Sequence, residues 1–293
     1  MENKNRTRLT YVLSMLIFGT IAPFVRAIPV SSGEVALYRA VLAALLIGIY
    51  LAATGKKIPV KSAGKDVLLL LLSGAVMGFN WIFLFEAYKY TTVSVATLSY
   101  YFAPSIVTAV SAALFREPLG KKQIFCFLGS TMGLVLITGA QGSNGGSDWI
   151  GILFGLAAAV FYAGVILLNK GIRSVEGIQR TFLQFLAAIA AVLPYVALTE
   201  GFHLSALDGK GWAALLTVGL FHTGITYCLY FGSVKEMPGQ QAAVLGYLDP
   251  LVAVLISVAF LGERLSAAQW IGASMILVFS VWNELPSGGK KKQ

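Results

Sequence analysis

The sequence predicts an all-α membrane protein whose ten transmembrane helices form two inverted five-helix repeats around a central cavity. Three observations support this fold class. The 293-residue chain has a mean hydropathy of +0.77 and only 12% charged residues, half of the roughly 25% found in soluble domains. Ten apolar stretches are long enough to cross a bilayer. The second half of the chain also repeats the pattern of the first.

The repeat is centred on two proline-containing segments, Tyr101-Phe102-Ala103-Pro104 and Tyr247-Leu248-Asp249-Pro250, which lie 146 residues apart. The same shift places Glu117 on Glu263. A proline inside an apolar helix removes a backbone donor and breaks or kinks that helix. Matched breaks in two halves are typical of a transporter binding site near the bilayer midplane. We therefore expect a functional site where spans four and nine are interrupted.

The predicted spans follow one another with short connections, which leave no room for a soluble domain. They are Leu9–Val25, Glu34–Ala53, Val67–Tyr88, Thr92–Phe115, Lys122–Gly139, Trp149–Asn169, Thr181–Thr199, Gly211–Gly232, Pro238–Leu261 and Ser266–Trp282. This order predicts a first repeat at 1–139, a Gly- and Ser-rich linker at 140–148, a second repeat at 149–284 and a basic tail at 285–293. Because five is an odd number, the second repeat is expected to enter the membrane upside down relative to the first.

The basic residues predict the orientation of the chain. With both termini in the cytoplasm, 17 Lys and Arg residues fall on the inner side and four on the outer side, as the positive-inside rule requires. The net charge of +9 is therefore an orientation signal in the cell membrane, and it does not indicate a nucleic-acid partner. No cleavable signal peptide is evident, so we expect span one to remain as an anchor.

The candidate cavity residues are polar or aromatic side chains predicted at membrane depth. They are Trp81, Ser94, Thr97, Tyr101, Pro104, Tyr162, His222, Tyr227, Tyr247, Asp249 and Pro250. On a regular helix Ser94, Thr97 and Tyr101 share one face with Ser105 and Thr108, which indicates either a hydroxyl-lined cavity wall or hydrogen bonds between helices. Pro104 and Pro250 either expose carbonyls to a ligand or only kink their helices.

Three ionisable residues inside the spans each have more than one interpretation. Asp249 is the carboxylate predicted nearest the bilayer centre; it would bind a substrate ammonium group, exchange a proton, or hydrogen-bond a neighbouring helix. It stands about 200° from Tyr247 on a regular helix, so both face one cavity only if the break turns them. Arg39 either snorkels to the outer surface, which we favour, or acts as an inward charge partner. His222 is either a proton relay or a neutral hydrogen-bonded histidine.

Other classes of function are disfavoured. The chain lacks His-Glu-x-x-His, Gly-x-Ser-x-Gly and any Cys/His cluster with metal-ligand spacing, so we expect no enzyme, no metal and no cofactor. A channel-like or structural membrane subunit is the alternative from another class, but channels use rings of carbonyls or charges. The expected partners are a small-molecule substrate and the lipid bilayer, and a homo-oligomer is left open.

The segments 101–119 and 247–272, with ten spans, resemble the EamA-domain branch of the drug/metabolite transporter superfamily, with one EamA repeat in each half. Phe18-Gly19 and Tyr38-Arg39 also resemble that family's pattern. The resemblance implies a basket-shaped carrier with a cavity lined by spans one, three, four, six, eight and nine. It implies export of amino acids, related metabolites or drugs by alternating access, with proton coupling suspected. Uptake or exchange of another metabolite, such as a sugar or nucleotide derivative, is the alternative.

Overall fold

A computed structural model describes residues 2–58, 64–115, 120–139, 148–234, 236–237 and 239–285. Within these ranges the chain is helical throughout, with no β-strand. Three parts of the sequence prediction fall outside the described residues: Glu117 of the repeat, all but the last residue of the linker at 140–148, and all but the first residue of the tail at 285–293.

The described part of the first half contains seven α-helices. They are α1 (Glu2–Gly19), α2 (Ile21–Arg26), α3 (Ser32–Ala53), α4 (Val67–Tyr90), α5 (Val93–Tyr100), α6 (Ala103–Phe115) and α7 (Lys121–Gly139), with a 3₁₀ turn at Gly64–Asp66 before α4. Ser31 begins α3 through a capping box with Glu34, the reciprocal bonding that satisfies the first free N–H groups of a helix. One span is interrupted at Thr20 between α1 and α2, and another at Tyr101 and Phe102 between α5 and α6.

The described part of the second half contains seven more. They are α8 (Asp148–Gly171), α9 (Gly177–Tyr195), α10 (Gly209–Leu216), α11 (Thr226–Val234), α12 (Gly239–Gly246), α13 (Leu248–Phe260) and α14 (Ala267–Glu284). A π-helical segment, Val196–Glu200, extends α9, and another, Thr217–Ile225, joins α10 to α11. A 3₁₀ turn at Leu204–Ala206 lies between these two spans. Ser266 begins α14 through a second capping box, with Gln269.

Seven helical segments in the described residues are long and apolar enough to cross a membrane. They are Asn5–Arg26, Ser32–Ala53, Val67–Tyr90, Val93–Ser111, Asp148–Gly171, Gly177–Glu200 and Gly209–Val234, and two shorter apolar helices follow at Val244–Phe260 and Ala267–Asn283. The remaining predicted span, the fifth, coincides with α7, a helix of 19 residues. The all-helical membrane fold class is thus confirmed, whereas the number of ten spans stays a prediction.

The two prolines begin helices. Pro104 is the second residue of α6 and Pro250 the third residue of α13. Proline suits the first helical turn, because that turn needs no backbone N–H and the fixed φ angle of proline is helical. The regular helix on which one polar face was predicted along span four is interrupted: Ser94 lies on α5 and Ser105 on α6, with a break between them.

The packing around the breaks differs between their two sides. α5 packs directly against α13, whereas α6 packs on α8 and α7, and α12 packs on α1 and α14. Around this centre, α4 lies along α8, α1 along α11, α3 along α9, and α7 along α14. The helices of the two interrupted spans therefore meet on the predicted outer side and are held by different neighbours on the predicted inner side.

Candidate functional site

The two interruptions face each other across the molecule. The rings of Tyr101 and Tyr247, which the repeat makes equivalent, have centroids 6.2 Å apart. The Tyr101 hydroxyl donates a hydrogen bond of 2.5 Å to Oδ2 of Asp249. Tyr247 occupies the single residue between α12 and α13, so the turn brings its ring and the Asp249 carboxylate to the same partner. The break thus turns the side chains of Tyr247 and Asp249 toward Tyr101, although a regular helix would direct them about 200° apart.

One row of tyrosines extends from this centre. Tyr100 packs on Tyr101 with ring centroids 5.5 Å apart, and Tyr162 packs on Tyr100 at 5.3 Å. Tyr100, Tyr101 and Asp249 are half-buried, and Tyr162 is 38% exposed. A carboxylate and hydroxyls within membrane-spanning helices require water, a polar ligand or a hydrogen-bonding side chain beside them. These residues therefore form the polar part of the candidate cavity.

A second row of aromatic rings comes from α1, α4, α9 and α11. Successive ring centroids lie 5.3–6.3 Å apart along Trp81, Phe185, Tyr227, Phe18, Tyr230 and Tyr11. The Tyr11 hydroxyl donates to the carbonyl of Ala242, at 2.7 Å, and so joins α1 to α12. Aromatic faces around a carboxylate attract organic cations and ammonium groups, and a mostly aromatic pocket with few polar groups is typical of a small-molecule site.

The sequence prediction missed several members of this second row, namely Tyr11, Phe18, Phe185 and Tyr230. Tyr227 and Tyr230 are three residues apart and share a helix face, so their pairing carried a usable signal. The end of α1 reaches the site because Gly19 permits it: a Cβ there would lie 2.6 Å from the Asp249 carbonyl oxygen. Phe18-Gly19 was noted in the sequence, but its distance from span nine was not predictable.

Ser94 belongs to a helix–helix contact, which was the alternative for the polar stripe. It is fully buried, shares a hydrogen bond with Ser257 of α13, and donates its backbone N–H to Oε2 of Glu263 at 3.1 Å. Oε1 of Glu263 accepts from the backbone of Val93 at 2.7 Å and from Arg26 at 2.9 Å. We call Arg26, Ser94, Ser257 and Glu263 the outer seal, because they join α2, α5 and the end of α13 on the predicted outer side.

Arg39 lies inside the protein, so the preference for an outward snorkel is wrong. The residue is only 4% exposed. Its guanidinium carbon lies 4.4 Å from the centroid of the Trp81 ring and 5.4 Å from that of the Phe85 ring. Its Nε donates to the hydroxyl of Thr223 at 3.1 Å. The two rings and the π-helical segment between α10 and α11 hold the side chain in place.

Other predicted residues lie around the centre and not in it. His222 is 1% exposed, with Nε2 3.0 Å from the Thr20 hydroxyl and Nδ1 3.2 Å from the Thr217 carbonyl, as expected of a hydrogen-bonded structural histidine. Thr97 is buried beside Tyr88.

The prolines act through the backbone. Pro250 is buried, and Pro104 faces α7 and α14, where it lines a void of only 10 Å³, at most enough for one water. Pro104 therefore shapes the break but does not face the tyrosine pair. Within the described residues no group of three or more His, Cys, Asp or Glu side chains is arranged to hold a metal ion.

Comparison with known proteins adds information about ancestry. The model of the EamA-like transporter family matches residues 7–139 and 149–283. An uncharacterized transporter of Bacillus subtilis, YxxF, is 32% identical over 284 residues, which cover 94% of this chain and 88% of that protein. An uncharacterized transporter of Archaeoglobus fulgidus is 28% identical, with 93% and 95% covered.

Two further matches are more distant. Protein PecM of Dickeya dadantii is 27% identical over 246 residues, which cover 83% of this chain and 80% of that protein. A solved crystal structure superposes with a TM-score of 0.65 and 20% sequence identity, covering 95% of this chain and 97% of the other. At that identity the structural match shows a shared fold.

Proposed function

Because the chain belongs to the EamA-like transporter family and is therefore a multi-pass membrane transporter, we propose that it is a secondary carrier of the cell membrane that exports amino acids or related small metabolites or drugs by alternating access. The family membership carries the transporter role. The substrate class, the direction and the mechanism are our proposal; the geometry at the two interrupted spans supports the substrate class and the mechanism, and export follows from the family resemblance.

The contact between Tyr101 and Asp249 is the observation on which the proposal rests. It joins the break in one repeat to the break in the other, at the place where transporters with inverted repeats bind their substrates. Among the described residues Tyr101 is the one side chain that donates a hydrogen bond to this carboxylate, so an accepting oxygen remains for a ligand. A substrate ammonium group would pair with Asp249 while its apolar part lies against the tyrosine rings.

The packing of the helices supports alternating access. In this structure the outer halves of spans four and nine, α5 and α13, are in contact and are joined by the outer seal. The inner halves, α6 and α12, pack on separate neighbours. We interpret this arrangement as a carrier that is closed on the predicted outer side. In the opposite state the inverted repeats would exchange these roles, with α6 approaching α12 while α5 leaves α13.

Proton exchange at Asp249 is the coupling that we propose. A carboxylate near the bilayer centre is costly to leave charged without a partner. It can take up a proton when the ammonium group leaves, and lose that proton when the next substrate binds. Substrate and proton would then alternate on one group, so that a proton moving inward drives substrate outward.

The test is counterflow in proteoliposomes with a panel of labelled amino acids, with and without a pH gradient. A carrier shows uptake of label stimulated by unlabelled substrate on the other side, which a channel or a structural subunit does not. We expect Asp249→Asn and Tyr101→Phe to reduce this uptake at least tenfold, since a hydrogen bond to a charged group contributes about 1.5–3 kcal/mol.

The matched control is Tyr90→Phe, which removes a hydroxyl from a tyrosine that is 38% exposed and stacked on Phe154. It is expected to transport like the unmodified chain. If Asp249→Asn and Tyr101→Phe both show the same counterflow as the wild type, the site assignment is wrong. If no solute in the panel shows exchange stimulation, export of amino acids is contradicted.

A further inference from the structure

Arg39 is a buried charge whose hydrogen-bonding capacity is mostly unused by the protein. A guanidinium carries five N–H donors. In the part of the chain that the structure describes, the Thr223 hydroxyl accepts from Nε, and no carboxylate lies within ion-pair distance of Arg39. The residue is nevertheless 4% exposed. A charge buried in a membrane-spanning helix without a counter-charge is strongly unfavourable and calls for a partner.

The neighbouring groups offset only part of this penalty. The rings of Trp81 and Phe85 attract the cation through their faces, but they accept no conventional hydrogen bond. The acid on the same helix, Glu34, and the acid that follows Phe85, Glu86, are already engaged. Glu34 accepts from the backbone N–H of His203 at 2.6 Å and from the Tyr38 hydroxyl at 3.0 Å, and Glu86 pairs with Lys89 at 2.9 Å.

Arg39 borders the candidate cavity. The Trp81 ring that lies under its guanidinium packs on Phe185, which packs on Tyr227. Tyr227 packs in turn on Phe18, so Arg39 lies beside the end of the second row of aromatic rings. No ion pair between Arg39 and Asp249 is found among the described residues.

We propose that Arg39 is the anion-recognising residue of the cavity and binds a carboxylate of the transported solute. This inference rests on the proposed function and names a feature of its substrate. The planar guanidinium matches a carboxylate through two parallel hydrogen bonds, with the Trp81 ring as the floor and Thr223 holding Nε in place. A solute with a carboxylate would therefore bind in preference to the matched solute without one.

The experiment titrates the full-length chain in lipid nanodiscs, in chloride-free buffer, with benzoate and with benzyl alcohol as the neutral match. The readout is intrinsic fluorescence of Trp81, which is 5% exposed. The other four tryptophans contribute a background that Trp81→Phe measures. We expect a saturable benzoate signal that is absent from Trp81→Phe, and an affinity for benzoate at least tenfold higher than for benzyl alcohol.

Charge variants identify the binding group. Arg39→Gln is expected to weaken benzoate binding at least tenfold and to leave benzyl alcohol unchanged. Arg39→Lys keeps the charge without the two parallel donors, so we expect an intermediate affinity. Lys89→Gln removes a cation whose side chain is 48% exposed, and its benzoate affinity should equal that of the unmodified chain.

Two results would overturn the inference: equal benzoate affinity in Arg39→Gln and wild type, or a wild type that does not distinguish benzoate from benzyl alcohol. The second comparison needs no variant, so it holds even if Arg39→Gln fails to fold. If benzoate binding depends on Arg39 but no solute shows counterflow, the proposed carrier function is contradicted and the anion site at Arg39 is supported. Counterflow with Arg39-independent binding would contradict the anion site alone.

Discussion

The Tyr101 hydroxyl and the Asp249 carboxylate come from opposite halves of the chain, 148 residues apart, and meet at 2.5 Å. Their positions in the repeat are not equivalent, because the residue that corresponds to Asp249 is Ala103, which is fully buried. The paired tyrosines therefore provide a nearly symmetric shape, while the charge is present once. A symmetric frame with one carboxylate allows the same group to serve both faces of the membrane in turn.

At the residue scale, the environment of Asp66 predicts how the stability of the fold depends on pH. The adjacent Ser174 hydroxyl and the backbone N–H groups of Ser174 and Arg173, at 2.8 and 2.9 Å, hold the pKa of this carboxyl below its usual value. A lowered folded-state pKa stabilises the fold at pH above the unfolded value of about 3.9, and this contribution is lost as pH falls through the folded pKa. Asp66→Asn should lower the thermal unfolding midpoint at pH 7, with a smaller difference in acid.

The measurement is thermal unfolding of the purified chain in detergent at several pH values. Glu176→Gln serves as control, because Glu176 is exposed and its side chain makes no capping hydrogen bond to α9. Its midpoint should follow the unmodified chain at every pH. A difference between Asp66→Asn and wild type that grows toward acid would contradict the assignment.

At the scale of elements, the outer seal holds α5 against α13. The Glu263 side chain is buried, with 6% of it exposed. It pairs with Arg26 and accepts hydrogen bonds from the first backbone N–H groups of α5. Glu263→Gln removes the ion pair, and hydrogen bonds to charged groups contribute about 1.5–3 kcal/mol. We expect the population open to the outside to rise about tenfold, because 1.4 kcal/mol corresponds to that factor.

Thiol labelling from outside measures this opening. The reporter is Val254→Cys, which replaces a residue 5% exposed in the apolar contact between α13 and α5, on a background of Cys126→Ser and Cys228→Ser. Lys89→Gln is the control, since it breaks the exposed pair with Glu86 and should leave labelling unchanged. An unaltered labelling rate in Glu263→Gln would show that the seal does not hold the outer side closed.

The pair α7 and α14 depends on close approach of two glycines. A Cβ on Gly272 would lie 2.5 Å from the Gly133 carbonyl oxygen, and a Cβ on Gly133 would lie 2.7 Å from the Gly272 carbonyl oxygen. These contacts make Gly133 a packing residue, and Gly129, four residues earlier on the same helix face, packs closely on Phe279. Gly272→Ala should destabilise the chain by about 1–3 kcal/mol, the usual effect of overpacking.

Gly232→Ala is the matched control, because nothing lies within 4 Å of a Cβ at that position. Alanine is a better helix former than glycine, so this variant should unfold at the wild-type temperature or above it. Thermal unfolding followed by loss of the monodisperse peak in size-exclusion chromatography compares the two. Equal midpoints for Gly272→Ala and Gly232→Ala would contradict direct backbone contact between α7 and α14.

At the scale of the whole molecule, the net charge of +9 predicts the orientation. Most Lys and Arg residues belong to connections and ends on one side of the predicted layout, and such segments stay in the cytoplasm. Green fluorescent protein fused to the C-terminus should fluoresce, and alkaline phosphatase fused after Arg26 should be active. An active phosphatase at the C-terminus would reverse the orientation and, with it, the predicted outer position of the seal.

The sequence by itself determined the membrane-spanning helical class, the two repeats, the helix limits within a few residues and the two breaks before Pro104 and Pro250. These features depend on apolar length, on capping residues and on the missing N–H of proline, all of which act over a few neighbouring residues. The number of ten spans stays a prediction, because seven helical segments in the part of the chain that the structure describes are long and apolar enough to cross a membrane.

Only the tertiary structure decided which side chains meet. A regular helix would separate Tyr247 from Asp249, but the turn between α12 and α13 directs both toward Tyr101. Arg39 could reach either the surface or the interior from its place on α3, and the rings of Trp81 and Phe85 decide for the interior. These outcomes depend on distances between residues far apart in sequence and on the angle at each break, and neither quantity is a property of a local stretch of chain.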